Sequence, residues 1–319
     1  MQEENNPNIQ PENKKGIRNY FDDQIISSQI SPVAAAFIGL VGAFFLYQII
    51  GGLLTIIIFG FDIKDAPVNS MRLMTMAGQI LFILLPALLF SKVFYNNVTA
   101  IIRIRIPGWK EILLFILGIV ILTPLLQSYL YIQNHFIELW AKNSSFINSI
   151  KELLDSVNEL LEHAYGDLIS ANSVYEGIFV VIVVALVPAI CEEFMFRGFI
   201  QRSFEFKLKP FRAALVTALF FGIYHFNPYG IIPLVLLGLY FGFAAYISNS
   251  IVIPVILHFL NNFAAVILYF ALGDEDLIKS APKGEVDIQS SIITFFGLLV
   301  LFGGVISLII KYYSRAENR

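Results

Sequence analysis

Eight apolar runs divide this chain, and they leave it few folds to choose from. A helix needs about 20 apolar residues to cross roughly 30 Å of hydrocarbon, and in lipid every backbone amide must find its partner within the segment. Seven of the eight runs are of that order: about Val33 to Phe61, Leu73 to Val93, Ile112 to Tyr131, Tyr175 to Gln201, Ile231 to Ile247, Ile251 to Leu272 and Ile292 to Ile310. The remaining one, fifth in chain order, runs from Ala213 to Phe226 and stops at Asn227-Pro228, a helix breaker. The expected fold is all-α: a polytopic transmembrane helical bundle of about eight spans, in the cell (plasma) membrane.

Composition agrees, with 57% hydrophobic residues, 14% charged and a mean hydropathy of +0.73. The lipid bilayer is therefore the first partner. The net charge of −3 comes without a basic stripe or tail, so nucleic acid is set aside as a partner. A single cysteine, Cys191, excludes an internal disulfide and a Cys-based metal knuckle, and reads as a small apolar filler within a helix. Assigning all 21 Lys and Arg to alternating sides puts 15 on the N-terminal side and 6 opposite. The positive-inside rule then makes both termini cytoplasmic.

Five regions follow. Residues 1–31 form a polar N-terminal tail without a signal-peptide core; 32–131 hold three spans with no charge in their interiors. Residues 132–172 form an extracytoplasmic segment whose apolar Ile147, Ile150, Leu153, Leu154, Val157, Leu160, Leu161 and Leu168 keep helical spacing, with Ser144 or Ser145 as cap. This helix is expected to lie on the membrane surface or pack on the bundle. Residues 173–272 contain the polar motifs, and 273–319 an extracytoplasmic loop, the last span and a cytoplasmic tail. Gly238 and Gly242 offer a small-x-x-x-small face that serves packing within the bundle or between copies.

Three polar strings interrupt the apolar spans: Cys191-Glu192-Glu193-Phe194-Met195-Phe196-Arg197, Phe221-Gly222-Ile223-Tyr224-His225 and His258-Phe259-Leu260-Asn261-Asn262. Ionisable groups at membrane depth are costly, which makes a functional site the default reading. Helical residues four apart share a face, so Glu193 pairs with Arg197 in an internal ion pair. Glu192 points elsewhere without a local partner and is available as a general base. His258 and Asn262 also share a face and supply hydrogen-bond donors without fixed charge, as an oxyanion site requires. Plainer readings exist: an interfacial Glu pair with Arg197 snorkelling, His225 bonded to a nearby carbonyl, and His258 with Asn262 as interhelical glue.

Taken together, Glu-Glu-x-x-x-Arg, Phe-x-x-x-His and His-x-x-x-Asn on successive apolar helices resemble the motif set of the CPBP intramembrane endopeptidases. That family, also called Abi, includes type II CAAX prenyl proteases and bacteriocin-processing or bacteriocin-immunity proteins. The resemblance covers roughly residues 173–272 and fills each motif position: Glu192, Glu193, Arg197, Phe221, His225, His258 and Asn262. It implies an endopeptidase with a water-filled cavity open to the cytoplasm, acting on a peptide or protein substrate reached from the membrane. In it Glu192 and His225 activate a water, His258 and Asn262 stabilise the oxyanion, and Glu193 and Arg197 support them. No cofactor is expected.

The rival mechanism uses zinc held by Glu192, His225 and His258, a two-His, one-carboxylate set. The zincin pattern His-Glu-x-x-His is absent, and Asn262 is a weak zinc ligand but a good oxyanion donor. A non-catalytic immunity or scaffold protein, or a proton-coupled carrier, is the other class. One geometric difficulty stands out. Counted from a fourth span ending at Gln201 and a fifth starting at Ala213, Glu192 and His225 lie at different depths, so the fifth span is expected to tilt or to begin below the headgroups.

Overall fold

The computed structural model describes residues 30–61, 66–95, 97–272 and 287–317. Most of the expected tail, the loop after 272 and several of the cations counted for orientation lie outside these residues. Every regular element among the described residues is helical. In chain order they are α1 (Pro32–Phe59), α2 (Val68–Phe94), the short α3 (Val98–Ile102), α4 (Trp109–Asn143), α5 (Ser145–Ile169) and α6 (Val174–Glu205). There follow α7 (Pro210–Tyr224), α8 (Ile231–Ser248), α9 (Val252–Leu272) and α10 (Ile288–Glu317). Seven of them, α1, α2, α4, α6, α8, α9 and α10, are long and apolar enough to cross a membrane, and α7 is an apolar helix of 15 residues. The protein is an integral, multi-pass membrane protein.

Helix ends follow the local chemistry. Ser31 caps α1 by accepting from Ala34 N at 3.1 Å, with Pro32 in the first turn, and Gly60 ends the helix at a φ of 85°. The third span outruns its expected limit at Tyr131, because no Gly or Pro stops α4 before Asn143. The break falls at Ser144, whose Oγ accepts from Ile147 N at 3.4 Å and so caps α5.

The bundle is built around α6. On one side its buried Phe199, Ile200 and Phe204 pack among Leu40 of α1, Ala87 of α2, Ile101 and Ile102 of α3, and Phe221 of α7. On the other, Val180, Val183 and Val184 meet Val266 of α9. A second cluster joins α4, α8, α9 and α10 through Phe115, Tyr240, Phe241, Leu257 and Ile309. Helices α7 and α8 form an antiparallel hairpin against this frame.

Two glycines set the approach of α8 to α6. Arg197 Nη2 donates to the Gly238 carbonyl at 3.1 Å, and Gln201 Nε2 to the Gly242 carbonyl at 2.9 Å. Both pairs are one turn apart on both helices, so the two polar side chains climb a backbone edge left bare by the missing Cβ atoms. A Cβ on Gly238 would sit 3.0 Å from Arg197 Nη2, and one on Gly242 2.6 Å from Gln201 Oε1. This small-residue face is used inside the bundle.

Candidate active site

The depth difficulty disappears because both helices are longer than their apolar runs. Helix α6 continues to Glu205 and α7 begins at Pro210, so Glu192 lies 13 residues from one end and His225 15 residues from the other. At about 1.5 Å per residue both lie about 20 Å from the turn that joins the helices. No special tilt or sunken start is required. Glu192 Oε2 and His225 Nε2 stand 4.0 Å apart, with side chains 13% and 34% exposed.

Each of the two is held from behind. Helix α7 ends at Tyr224, and the N–H of His225 turns to the Gly222 carbonyl, so the Phe221 carbonyl has lost its continuing helical partner. His225 Nδ1 donates to that carbonyl at 2.6 Å, which leaves Nε2 with its lone pair toward Glu192. The Phe221 ring meets the imidazole edge to face at 4.7 Å. Directly after it Phe226 adopts a φ of 53°, a left-handed conformation that a bulky residue seldom takes, and the chain turns away through Asn227 and Pro228. Glu192 Oε1 accepts from Gln79 Nε2 of α2 at 3.1 Å, while Oε2 has no hydrogen-bond partner.

A cavity of about 190 Å³ contains this pair. Its walls come from α1 (Phe44, Tyr47, Gln48), α2 (Gln79, Ile83) and α7 (Tyr224) as well as α6. Gln48 Nε2 donates to the Tyr224 carbonyl at 3.2 Å, and the Tyr224 hydroxyl donates to the Leu40 carbonyl at 3.0 Å, so α1 is fastened to the last turn of α7.

Glu193 forms the expected pair with Arg197, Oε1 to Nη1 at 2.7 Å, and neither side chain has any exposure. The guanidinium also lies over Phe221, 4.2 Å from the ring centroid, with Phe241 farther off at 5.4 Å. Glu193 has a second partner that spacing along one helix does not predict: His258 Nδ1 donates to the same Oε1 at 2.8 Å. The His258 ring stacks on Phe241 at 5.5 Å and meets Phe221 edge-on at 6.0 Å.

Asn262 is placed by a proline. Pro188 has no N–H to give the carbonyl four residues before it, that of Val184. Asn262 Nδ2 donates to this carbonyl at 3.1 Å. Asn261 Nδ2 donates to Asn262 Oδ1 at 3.3 Å, a longer contact. The same logic recurs next to His225. Pro233 leaves the Tyr229 carbonyl free, and Gln133 Nε2 of α4 donates to it at 2.9 Å. The Tyr229 hydroxyl donates to Asp155 of α5 at 2.5 Å, and burial together with this bond pushes the phenol well above its usual range.

The six sequence-derived residues thus form two adjoining groups that share Phe221. Glu192 and His225 face the cavity; Glu193, Arg197 and His258 form a buried cluster behind, and Asn262 braces the broken turn of α6. His258 Nδ1 is turned to Glu193, which leaves Nε2 as its open ring nitrogen, and among the described residues no three His, Cys, Asp or Glu gather as metal ligands. Gln79 and Gln48 are additions, and an amide in the interior of an apolar run is the signal that marks them.

Residues 174–264 match the family described as "Type II CAAX prenyl endopeptidase Rce1-like". The match begins with α6 and ends in α9, covers all six residues above and supports an intramembrane endopeptidase of the CPBP/CAAX kind. No curated protein and no solved structure matches the chain.

Proposed function

We propose, on the premise that residues 174–264 are the core of a CPBP/CAAX-type protease, that this protein cleaves peptide bonds with a water activated by Glu192 and His225. The observation that carries the reading is the 4.0 Å gap between Glu192 Oε2 and His225 Nε2, two acceptors facing one space. That is too long for a direct hydrogen bond and short enough for one water to donate to both. Glu192 takes a proton as the water oxygen attacks the carbonyl carbon, then returns it to the departing amine. No Ser or Cys nucleophile is used.

The oxyanion falls to His258 and Asn262. Asn262 has a second amide hydrogen beyond the one given to Val184. With its Nδ1 hydrogen on Glu193, His258 presents Nε2 to the substrate and donates from it once that nitrogen carries a proton. Glu193 and Arg197 hold that ring and touch no reacting atom. The mechanism assigns no step to a metal. Both termini are cytoplasmic in this reading, the membrane is the cell membrane, and the substrate is a peptide or protein reached from the bilayer.

The test is a comparison of protein N-termini in membrane fractions from cells making the wild type or Glu192→Gln. The amide keeps the shape of the side chain and removes the base. A set of new N-termini present with wild type and lost with the variant, at equal amounts of folded protein, is the expected result. Unchanged cleavage by Glu192→Gln overturns the assignment.

A further inference from the structure

A carboxylate has two equivalent oxygens, and a terminal carboxyl group turns over a broad, two-fold torsional well. A glutamate that is to meet a water with one chosen oxygen therefore needs its other oxygen held. In this protein the holding group comes from outside the family-matched segment. Gln79 lies on α2, is 5% exposed, and donates from Nε2 to Glu192 Oε1 at 3.1 Å. Oε2 is then the oxygen left without a hydrogen bond, and it is the one that faces His225.

The chemistry suits the residue type. A Lys or Arg at this position would make an ion pair and tie up the base, whereas a carboxamide donates one hydrogen bond and adds no charge. The backbone is also unusual on both sides of the contact. Immediately after Gln79, α2 widens into a π-type turn over Ile80–Leu84, and α6 does the same over Phe194–Ile200, two residues after Glu192. Such turns shift the register of the side chains that follow and recur at functional sites. Gly78 gives the neighbouring room: a Cβ there would stand 3.3 Å from the Tyr47 ring of α1, which lines the same cavity.

From this geometry we infer that Gln79 is a positioning residue: it fixes Glu192 Oε1 and so aims Oε2 at the water shared with His225. The inference rests on the reading of Glu192 as the base, yet the contact itself is testable without any substrate. The signature is the carboxylate vibration of Glu192, isolated as the infrared difference between wild type and Glu192→Gln in detergent. In Gln79→Leu, which keeps the bulk and loses the donor, the Glu192 band shifts. In Gln79→Asn, one methylene too short, it shifts in the same direction.

The second arm follows the Glu192-dependent N-termini defined above. Misplacement of a reacting group by about 1 Å costs about 10²-fold, so Gln79→Leu is expected to lower their rate of appearance 10- to 100-fold at unchanged abundance and thermal stability. A Glu192 band that stays in place in Gln79→Leu, or cleavage at the wild-type rate by a folded Gln79→Leu protein, overturns the inference and leaves the proposed function standing. Loss of the Glu192 dependence itself overturns the proposed function, while a band shift in that case still supports the contact.

Discussion

The buried pair of Glu193 and Arg197 gives the sharpest prediction about stability, because its partners are few and known. Breaking a buried ion pair by removing one side costs about 3 to 5 kcal/mol, since the survivor is an uncompensated charge. Glu193→Leu leaves Arg197 over the Phe221 ring and the Gly238 carbonyl with no anion; Arg197→Met leaves Glu193 with His258 alone. Independent effects would add to about 6 to 10 kcal/mol, which is enough to unfold most proteins. In the double variant both charges are gone, the Gly238 carbonyl keeps its helical partner within α8, and the His258 Nδ1 hydrogen is left without its acceptor. Such a neutral group costs about 1 to 3 kcal/mol, so the double variant is expected to lose about that much. The assay is a double-mutant cycle of denaturant unfolding in detergent micelles, followed by circular dichroism. A coupling energy within about 0.5 kcal/mol of zero, the range in which independent sites add, would refute the reasoning.

His258→Ala and Asn262→Ala are each expected to slow cleavage roughly 10²- to 10³-fold, the usual cost of one oxyanion donor, without changing metal content by elemental analysis. A zinc mechanism predicts instead that His258→Ala strips a stoichiometric metal and that chelator inactivates the wild type reversibly. Tyr229→Phe removes the bond to the half-exposed Asp155 and is expected to cost about 0.5 to 1.5 kcal/mol, with faster hydrogen exchange at residues 226–230 as the readout. Gly242→Ala drives a Cβ to 2.6 Å from Gln201 Oε1 and is expected to cost about 1 to 3 kcal/mol by overpacking. Gly52→Ala, with nothing within 4 Å of the added Cβ, is the control that leaves thermal stability unreduced.

What the sequence shows of the site depends on the range of the signal. Spacing along one helix is local, so the pairing of Glu193 with Arg197 and the common face of His258 and Asn262 are legible. The bond from His258 to Glu193 joins residues 65 positions apart and depends on the relative register of α6 and α9, which no periodicity records. The misjudged depth of His225 has a simpler origin. Apolar runs mark where lipid contact ends, whereas helices continue into polar residues until a cap or a breaker stops them, as α6 does to Glu205 and α4 to Asn143. Gln79 is missed by a search for charge, because an amide at depth carries none and still needs a partner.

The central position of α6 bears on modularity. Residues 174–264 contain every motif, yet they are no transplantable cassette. Phe199, Ile200 and Phe204 are shaped to α1, α2 and α3, and Ser203 accepts a hydrogen bond from Tyr95 at 2.7 Å. In lipid, stripping those neighbours away carries little hydrophobic penalty, because acyl chains are as apolar as the helices they replace; what is lost is close packing and the interhelical hydrogen bonds. A chimera that sets this segment among foreign helices would therefore insert readily and still be left with a glutamate whose two oxygens are interchangeable.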